Sequence, residues 1–484
     1  MRLNPFLSKL LLSLFIFAAA FNLYVHSLNF DYTYMDDNIL VTNAASVHKK
    51  DYLKYIFRED PFGGKAGDCF FYRPALNLSF LIDGYFHGDD IFFYHLTNVL
   101  LHSLFCALFF LFLVWSGVNV IPAFAGAVFF ALIPALSAAV AWIPGRNDII
   151  LALFSLGALW SASGWIKSGG AALGALASLM FTCAMFTKET AVFIPFAVVF
   201  MFLYSGKSRL RSLLSCSAAF VPSCLLYLLA RHFSEASSPG FSEIVFKRIL
   251  FLPAFSNMWF LPVSSPSAAH VAAGTFLAGL LAFAMLRFSG KSVGRVLFGL
   301  LWFYASLLPP MLGREIYFDQ SFFLMHRFYL PLAGLVFAAV SVPAVAGVNF
   351  RKLFPAAAAA MLTAAMACSA FIGSMYFKDG WIFQPRRIYA EDPASYRNYL
   401  GLGKFYALKQ SYFLAERYLE KALLFDKNAG TESRLYLADI YTVNGKYGKA
   451  RRMFADILKR DPGSEFARIG LGRLEGKKDL ERKS

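Results

Sequence analysis

Charge is scarce in this 484-residue chain: Asp, Glu, Lys and Arg make up 16% of it, against 58% hydrophobic and 17% aromatic residues. So little charge excludes a string of ordinary soluble domains. Cysteine is scarce as well. Of the six (Cys69, Cys106, Cys183, Cys216, Cys224, Cys368), five fall inside apolar runs and none has C-x-x-C spacing, which argues against a disulfide framework or a zinc site. What the chain has in abundance is uncharged apolar runs of roughly 18 to 22 residues, the length that crosses a hydrocarbon core as helix. They recur from Leu10 to Ala370 and exclude a nucleic-acid enzyme or a cytosolic dinucleotide-binding protein. An all-α polytopic membrane protein is therefore expected.

Hydropathy places about eleven spans, near 9–28, 94–116, 119–140, 148–166, 170–187, 189–205, 211–230, 268–287, 295–312, 328–347 and 354–377. The first has a basic flank (Arg2, Lys9) and an Ala18-Ala19-Ala20 stretch that a signal peptidase could cut, but its long charge-free run favours an uncleaved span. With the N-terminus in the cytoplasm, the inner segments carry Arg2, Lys9, Lys167, Lys207, Arg209, Arg211, Arg287, Lys291, Arg295, Arg351 and Lys352. All 30 acids then lie outside. An odd number of spans puts the C-terminal region outside too.

Three pieces follow: a helical membrane domain over 1–377, whose first outer loop spans 31–93; a connector at 378–395; and a polar tail at 396–484. From Lys378 onward the chain carries 22 bases and 14 acids. The tail repeats at about 35 residues: aligning Leu402-Gly403 with Leu437-Ala438 brings Tyr406 onto Tyr441, Ala415 onto Ala450 and Leu419 onto Phe454. Leu471-Gly472 opens an incomplete third unit. Small residues at the first and third of these positions let two helices of a hairpin approach, as in tetratricopeptide repeats.

Motifs with chemical potential gather on the expected outer side. Asp36-Asp37 follows the first span; neighbouring carboxylates raise each other's pKa, and one at an interface can take a proton from a hydroxyl. An isolated Asp-Asp is as readily a loop turn or helix cap. After it come Tyr72-Arg73-Pro74, Tyr94-His95-Leu96-Thr97-Asn98, Trp142-Ile143-Pro144-Gly145-Arg146-Asn147-Asp148, Thr187-Lys188-Glu189 and Arg327-Phe328-Tyr329-Leu330-Pro331.

Six such motifs in this order, followed by the repeats, resemble the transmembrane and tetratricopeptide-repeat protein O-mannosyltransferases and their bacterial relatives, within the C-type superfamily of integral-membrane glycosyltransferases. Thr187 stands where the family usually has Ser, Phe328 where it has Tyr, and the repeat array is short. The resemblance implies transfer of a sugar, mannose-like, from a polyprenyl-phosphate donor to an acceptor hydroxyl by a single inverting displacement at the outer face. Asp37 would be the general base and Asp36 its orienting partner. Arg73, Arg146, Lys188 and Arg327 would hold the departing lipid phosphate, since its charge grows as the glycosidic bond breaks. Tyr72, His95, Asp148 and Glu189 would support them, Glu189 by orienting Lys188 and Asp148 by capping the fourth span. Each cation could instead anchor a span end at the interface.

No D-x-D occurs in the first outer loop, so no obligatory metal and no cofactor beyond the lipid-linked sugar is expected. The expected partners are membrane lipid, the donor, and an acceptor protein or glycan docked by the repeats, with no nucleic acid. A bacterial inner membrane with the first loop and repeats in the periplasm fits best. Two other classes stay open: a transporter or flippase of lipid-linked sugar, and a non-catalytic membrane-anchored scaffold. Charges at span ends rather than mid-span fit neither well.

Overall fold

A computed structural model of the protein describes residues 4–30, 40–41, 53, 56–58, 72–204, 218–234, 268–312, 325–342, 396–408, 410–425 and 431–475. Asp36 and Asp37 lie outside the described residues, as does the expected span at 354–377. Among the described residues all regular structure is helical, and the chain divides into two compact units, one within residues 1–378 and one within 379–484.

In the first unit α1 (Pro5–Tyr24) is capped by Asn4, whose Oδ1 accepts from the Phe6 amide at 2.9 Å. Next come α2 (Pro74–His87), α3 (Ile91–Trp115) and α4 (Val120–Leu132). They are followed by α5 (Arg146–Ser168), α6 (Ala171–Thr187), α7 (Phe193–Tyr204) and α8 (Val221–His232). The last described helices of the unit are α9 (Ala268–Arg287), α10 (Val293–Leu312) and α11 (Tyr329–Val340). Four segments are long and apolar enough to cross a membrane: Pro5–Asn29, Ile91–Trp115, Ile143–Ser168 and Gly290–Pro310. This is a multi-pass membrane protein.

Two features depart from the sequence expectation. The third span, expected unbroken over 119–140, bends by 54° between Val120–Leu132 and Pro134–Val140. Pro134 has no amide to continue the helix and its ring clashes with the preceding turn. Second, the long loop at 31–93 contains a helix, α2. Proline at its first position is preset for helix, and Leu76, Phe80, Asp83 and Gly84 are buried against the body.

The helices run with alternating polarity. α3 and α5 start together, because Asn98 near the start of α3 meets Arg146 at the start of α5, and they end together, because Lys167 at the end of α5 donates to the Trp115 carbonyl at 3.3 Å. α10 and α11 touch backbone to backbone: a Cβ on Gly299 would sit 2.6 Å from the Gly334 carbonyl oxygen. His102 ties three helices, bonding the Tyr329 hydroxyl at 2.7 Å while Tyr24 stands edge-on at 4.9 Å.

Among the described residues the second unit holds five helices: α12 (Tyr396–Leu408), α13 (Tyr412–Phe425), α14 (Thr431–Val443), α15 (Tyr447–Arg460) and α16 (Glu465–Glu475). Ala415, Ala438 and Ala450 are fully buried, and a Cβ on Gly403 would come within 2.4 Å of Leu419. Lys446 holds Glu416 at 2.6 Å, and Tyr441 donates to Glu420 at 2.7 Å. Gly472 has nothing within 4 Å, whereas Gly470 lies against Phe454.

Candidate functional site

The motif Trp142–Asp148 forms the turn between the bent fourth helix and α5. Gly145 is required there, since a Cβ would lie 2.5 Å from the Ala139 carbonyl oxygen. The irregular backbone is held by one side chain. The amide of Asn98 donates to the carbonyls of Val140 (3.1 Å), Trp142 (3.1 Å) and Ile143 (3.2 Å). This is how non-helical backbone is tolerated within an apolar body.

Arg146 is placed otherwise than its donor-binding assignment requires. Its guanidinium is fully buried and engaged on every side: Nη1 with Asp83 Oδ2 at 2.5 Å, Nε with Asn98 Oδ1 at 2.8 Å, and Nη2 with the Tyr94 carbonyl at 2.7 Å. The Phe80 ring lies 4.5 Å from Cζ. Thr97 donates to the same carboxylate at 2.8 Å. Arg146 clamps α2 to α3 and α5 and has no face left for a ligand.

The other three cations converge. Lys188 closes the C-terminus of α6, and its ammonium meets Asp148 Oδ1 at 2.6 Å with both side chains buried. Asp148 sits in the first turn of α5 but makes no capping bond; the cap position is Gly145. Its carboxylate turns instead to Lys188, with His326 Nε2 at 3.9 Å from its other oxygen. Glu189 does not pair with Lys188. It faces Arg73 at 3.8 Å and Arg231 at 3.4 Å. Asn147, with its amide oriented to satisfy both neighbours, accepts from Arg73 at 3.1 Å and donates to the Thr187 carbonyl at 2.8 Å.

Arg327 donates to the Pro310 carbonyl at 3.1 Å and lies within electrostatic range of Asp148, Arg73 and Lys188. Burial pushes the Lys188 ammonium down to about 8; Asp148 opposes the shift, while Arg73 and Arg327 add to it. Tyr72 is buried with its ring 5.8 Å from Tyr227 and 6.2 Å from Phe186, forming an aromatic wall beside the cluster. His95 is buried edge-on to Phe30 at 6.2 Å.

Three residues here were not singled out from the sequence: Asp83, Arg231 and Tyr227. Arg231 had a signal, a base ending an apolar run on the acid-rich side. Asp83 had one too, an acid within the apolar stretch Leu81-Ile82-Asp83-Gly84-Tyr85.

Chemically, guanidinium and ammonium groups gathered beside carboxylates can receive an oxyanion such as phosphate. No protein-family model matches the chain. Part of it is similar to curated eukaryotic proteins. It is 31% identical over 189 residues to the protein O-mannosyl-transferase TMTC2 of Homo sapiens, covering 35% of this chain and 21% of that protein. The corresponding tmtc2 of Xenopus laevis is 31% identical over 186 residues, 35% of this chain and 21% of its own. A protein O-mannosyl-transferase of Caenorhabditis elegans, F38B6.6, is 29% identical over 144 residues, 28% and 20%. The chain thus spans about a fifth of the length of these relatives.

Proposed function

We propose that the protein is an integral-membrane glycosyltransferase that moves a hexose, mannose-like, from a polyprenyl-phosphate donor to an acceptor hydroxyl of protein Ser or Thr. The observation that carries this reading is the convergence of Arg73, Lys188 and Arg327, from three separate motifs, around Asp148 at one end of the helical body. The relatives named protein O-mannosyl-transferases support the same class. A transporter would be expected to put such charges mid-span.

The chemistry is a single inverting displacement. The acceptor oxygen forms a bond to the anomeric carbon as the bond from that carbon to the phosphate oxygen breaks, and the electron pair leaves on the phosphate. Asp37 takes the acceptor proton, with Asp36 orienting the acceptor, as the resemblance implies. Arg73, Lys188 and Arg327 meet the charge that develops on the leaving phosphate. Arg146 is left out of the donor site because its donors are already engaged. A bacterial inner membrane, with the cluster on the periplasmic side and the C-terminal helices acting as tetratricopeptide repeats that recruit the acceptor, completes the reading.

The test is release of polyprenyl phosphate from a labelled polyprenyl-phosphate sugar by purified protein. The Asp36→Asn, Asp37→Asn double variant is expected to lose roughly 100- to 10,000-fold in turnover with unchanged melting, the range general-base catalysis supplies. Near-parental turnover would remove the pair from the active centre.

A further inference from the structure

We propose that Arg231 is a contact for the donor phosphate, and that Glu189 is the anion this phosphate displaces from between Arg73 and Arg231. The inference rests on the donor reading above, extends it to Arg231 and gives Glu189 a role other than orienting Lys188.

The ion pairs at this end of the body fall into two kinds. Arg146–Asp83 and Lys188–Asp148 are short, at 2.5 and 2.6 Å, and every side chain in them is at most 7% exposed. The pairs of Glu189 are long, at 3.8 Å to Arg73 and 3.4 Å to Arg231, and its side chain is 38% exposed while the two arginines are 16% and 15% exposed. The two guanidinium groups are thus held from the protein side, with a solvated carboxylate bridging them. Tyr227 fixes the bridge: its hydroxyl accepts from Arg231 at 3.1 Å and lies 3.5 Å from the same Glu189 oxygen. A carboxylate that spans two arginines at long range, with water on its open side, is easily replaced by a tetrahedral oxyanion that reaches both.

Charge points the same way. The donor is a phosphodiester with one negative charge, and transfer turns it into a monoester that carries nearly two at neutral pH. Bond breaking therefore strengthens the pull of Arg73 and Arg231, with Lys188 and Arg327 nearby, on the phosphate over their pull on the single carboxylate of Glu189.

The experiment measures binding of a fluorescent polyprenyl monophosphate to full-length protein in nanodiscs, with the corresponding neutral polyprenol as control and melting recorded beside each variant. Arg231→Gln is expected to weaken monophosphate binding at least tenfold and leave polyprenol binding unchanged; Arg231→Lys should recover part of the loss. Glu189→Gln is expected to tighten monophosphate binding severalfold, a gain that misfolding cannot produce. Parental affinity in Arg231→Gln, or loss in Glu189→Gln as large as in Arg231→Gln, would overturn the inference. Lys188→Gln and Arg327→Gln separate the two levels. If they weaken binding while Arg231→Gln does not, the inference alone fails. If the parent binds monophosphate no better than polyprenol, the donor reading fails with it.

Discussion

Two arginines at the same end of the membrane body, Arg146 and Arg73, come from motifs of equal prominence, yet their surroundings differ completely. Arg146 has no exposed surface and three protein partners at 2.8 Å or less. Arg73 keeps 16% of its side chain exposed and meets its carboxylate at 3.8 Å. A guanidinium enclosed on every side by protein groups holds helices together, whereas one that keeps exposed surface and a long ionic contact can be reached by a ligand. Position in a motif does not tell the two apart; the partners do.

The comparison breaks most visibly at Arg146. Removing one side of a fully buried pair leaves an uncompensated charge, which typically costs about 3 to 5 kcal/mol. Asp83→Asn should therefore lower melting sharply and reduce the amount of folded protein recovered in detergent. Replacing both partners by apolar residues, Asp83→Leu with Arg146→Met, should recover most of that loss, as measured by fluorescence-detected melting. If donor turnover survives in the double variant, Arg146 is confirmed as a clamp only.

Arg327→Ala should show the opposite pattern. Loss of a charge-assisted bond of about 1.5 to 3 kcal/mol corresponds to roughly 10- to 100-fold weaker donor use. Melting should move little, because among the described residues its hydrogen bond is to the Pro310 carbonyl. A donor titration with a melting curve measures both, and a melting loss as large as that of Asp83→Asn would place Arg327 with Arg146.

The smallest effect concerns pH. Lys188 titrates near 8 in the fold, below the ordinary value of 10.5. Donor use that needs its ammonium should fall as pH rises through about 8. Stability should respond in the other direction: a depressed lysine makes the charged form a cost that is full below about 8 and is relieved as pH rises toward 10.5. Lys188→Arg, always charged, should remove the activity loss near pH 8. A pH profile of donor hydrolysis alongside melting separates the two signs.

That the body crosses a membrane was legible in the sequence because an apolar run of the right length has few fates. The Pro134 bend and the helix after Arg73 were less so. A proline can kink a span or end it, and α2 is a short apolar stretch embedded in a polar loop. The site was half legible. Arg73, Lys188, Arg327 and Asp148 are brought together, but their partners are not the nearby ones. Lys188 lies in extended backbone, φ −163° and ψ 141°, so it and Glu189 point to opposite sides. Its carboxylate comes from α5 instead, 40 residues earlier. Asp83 and Arg146 are separated by 63 positions, and no local pattern records such a pairing.

The order of elements around Arg146 bears on how the protein is made. A guanidinium entering an apolar phase is unfavourable by about 2.5 to 3.5 kcal/mol on insertion scales. Asp83 on α2, and Asn98 and the Tyr94 carbonyl on α3, all precede Arg146 in the chain. During synthesis every acceptor for this cation has emerged before the ribosome reaches it, so α5 can enter the bilayer with its charge received by a prepared seat. Moving Arg146's partners to the C-terminal side of α5 would leave the same contacts in the finished fold but would expose the cation during assembly.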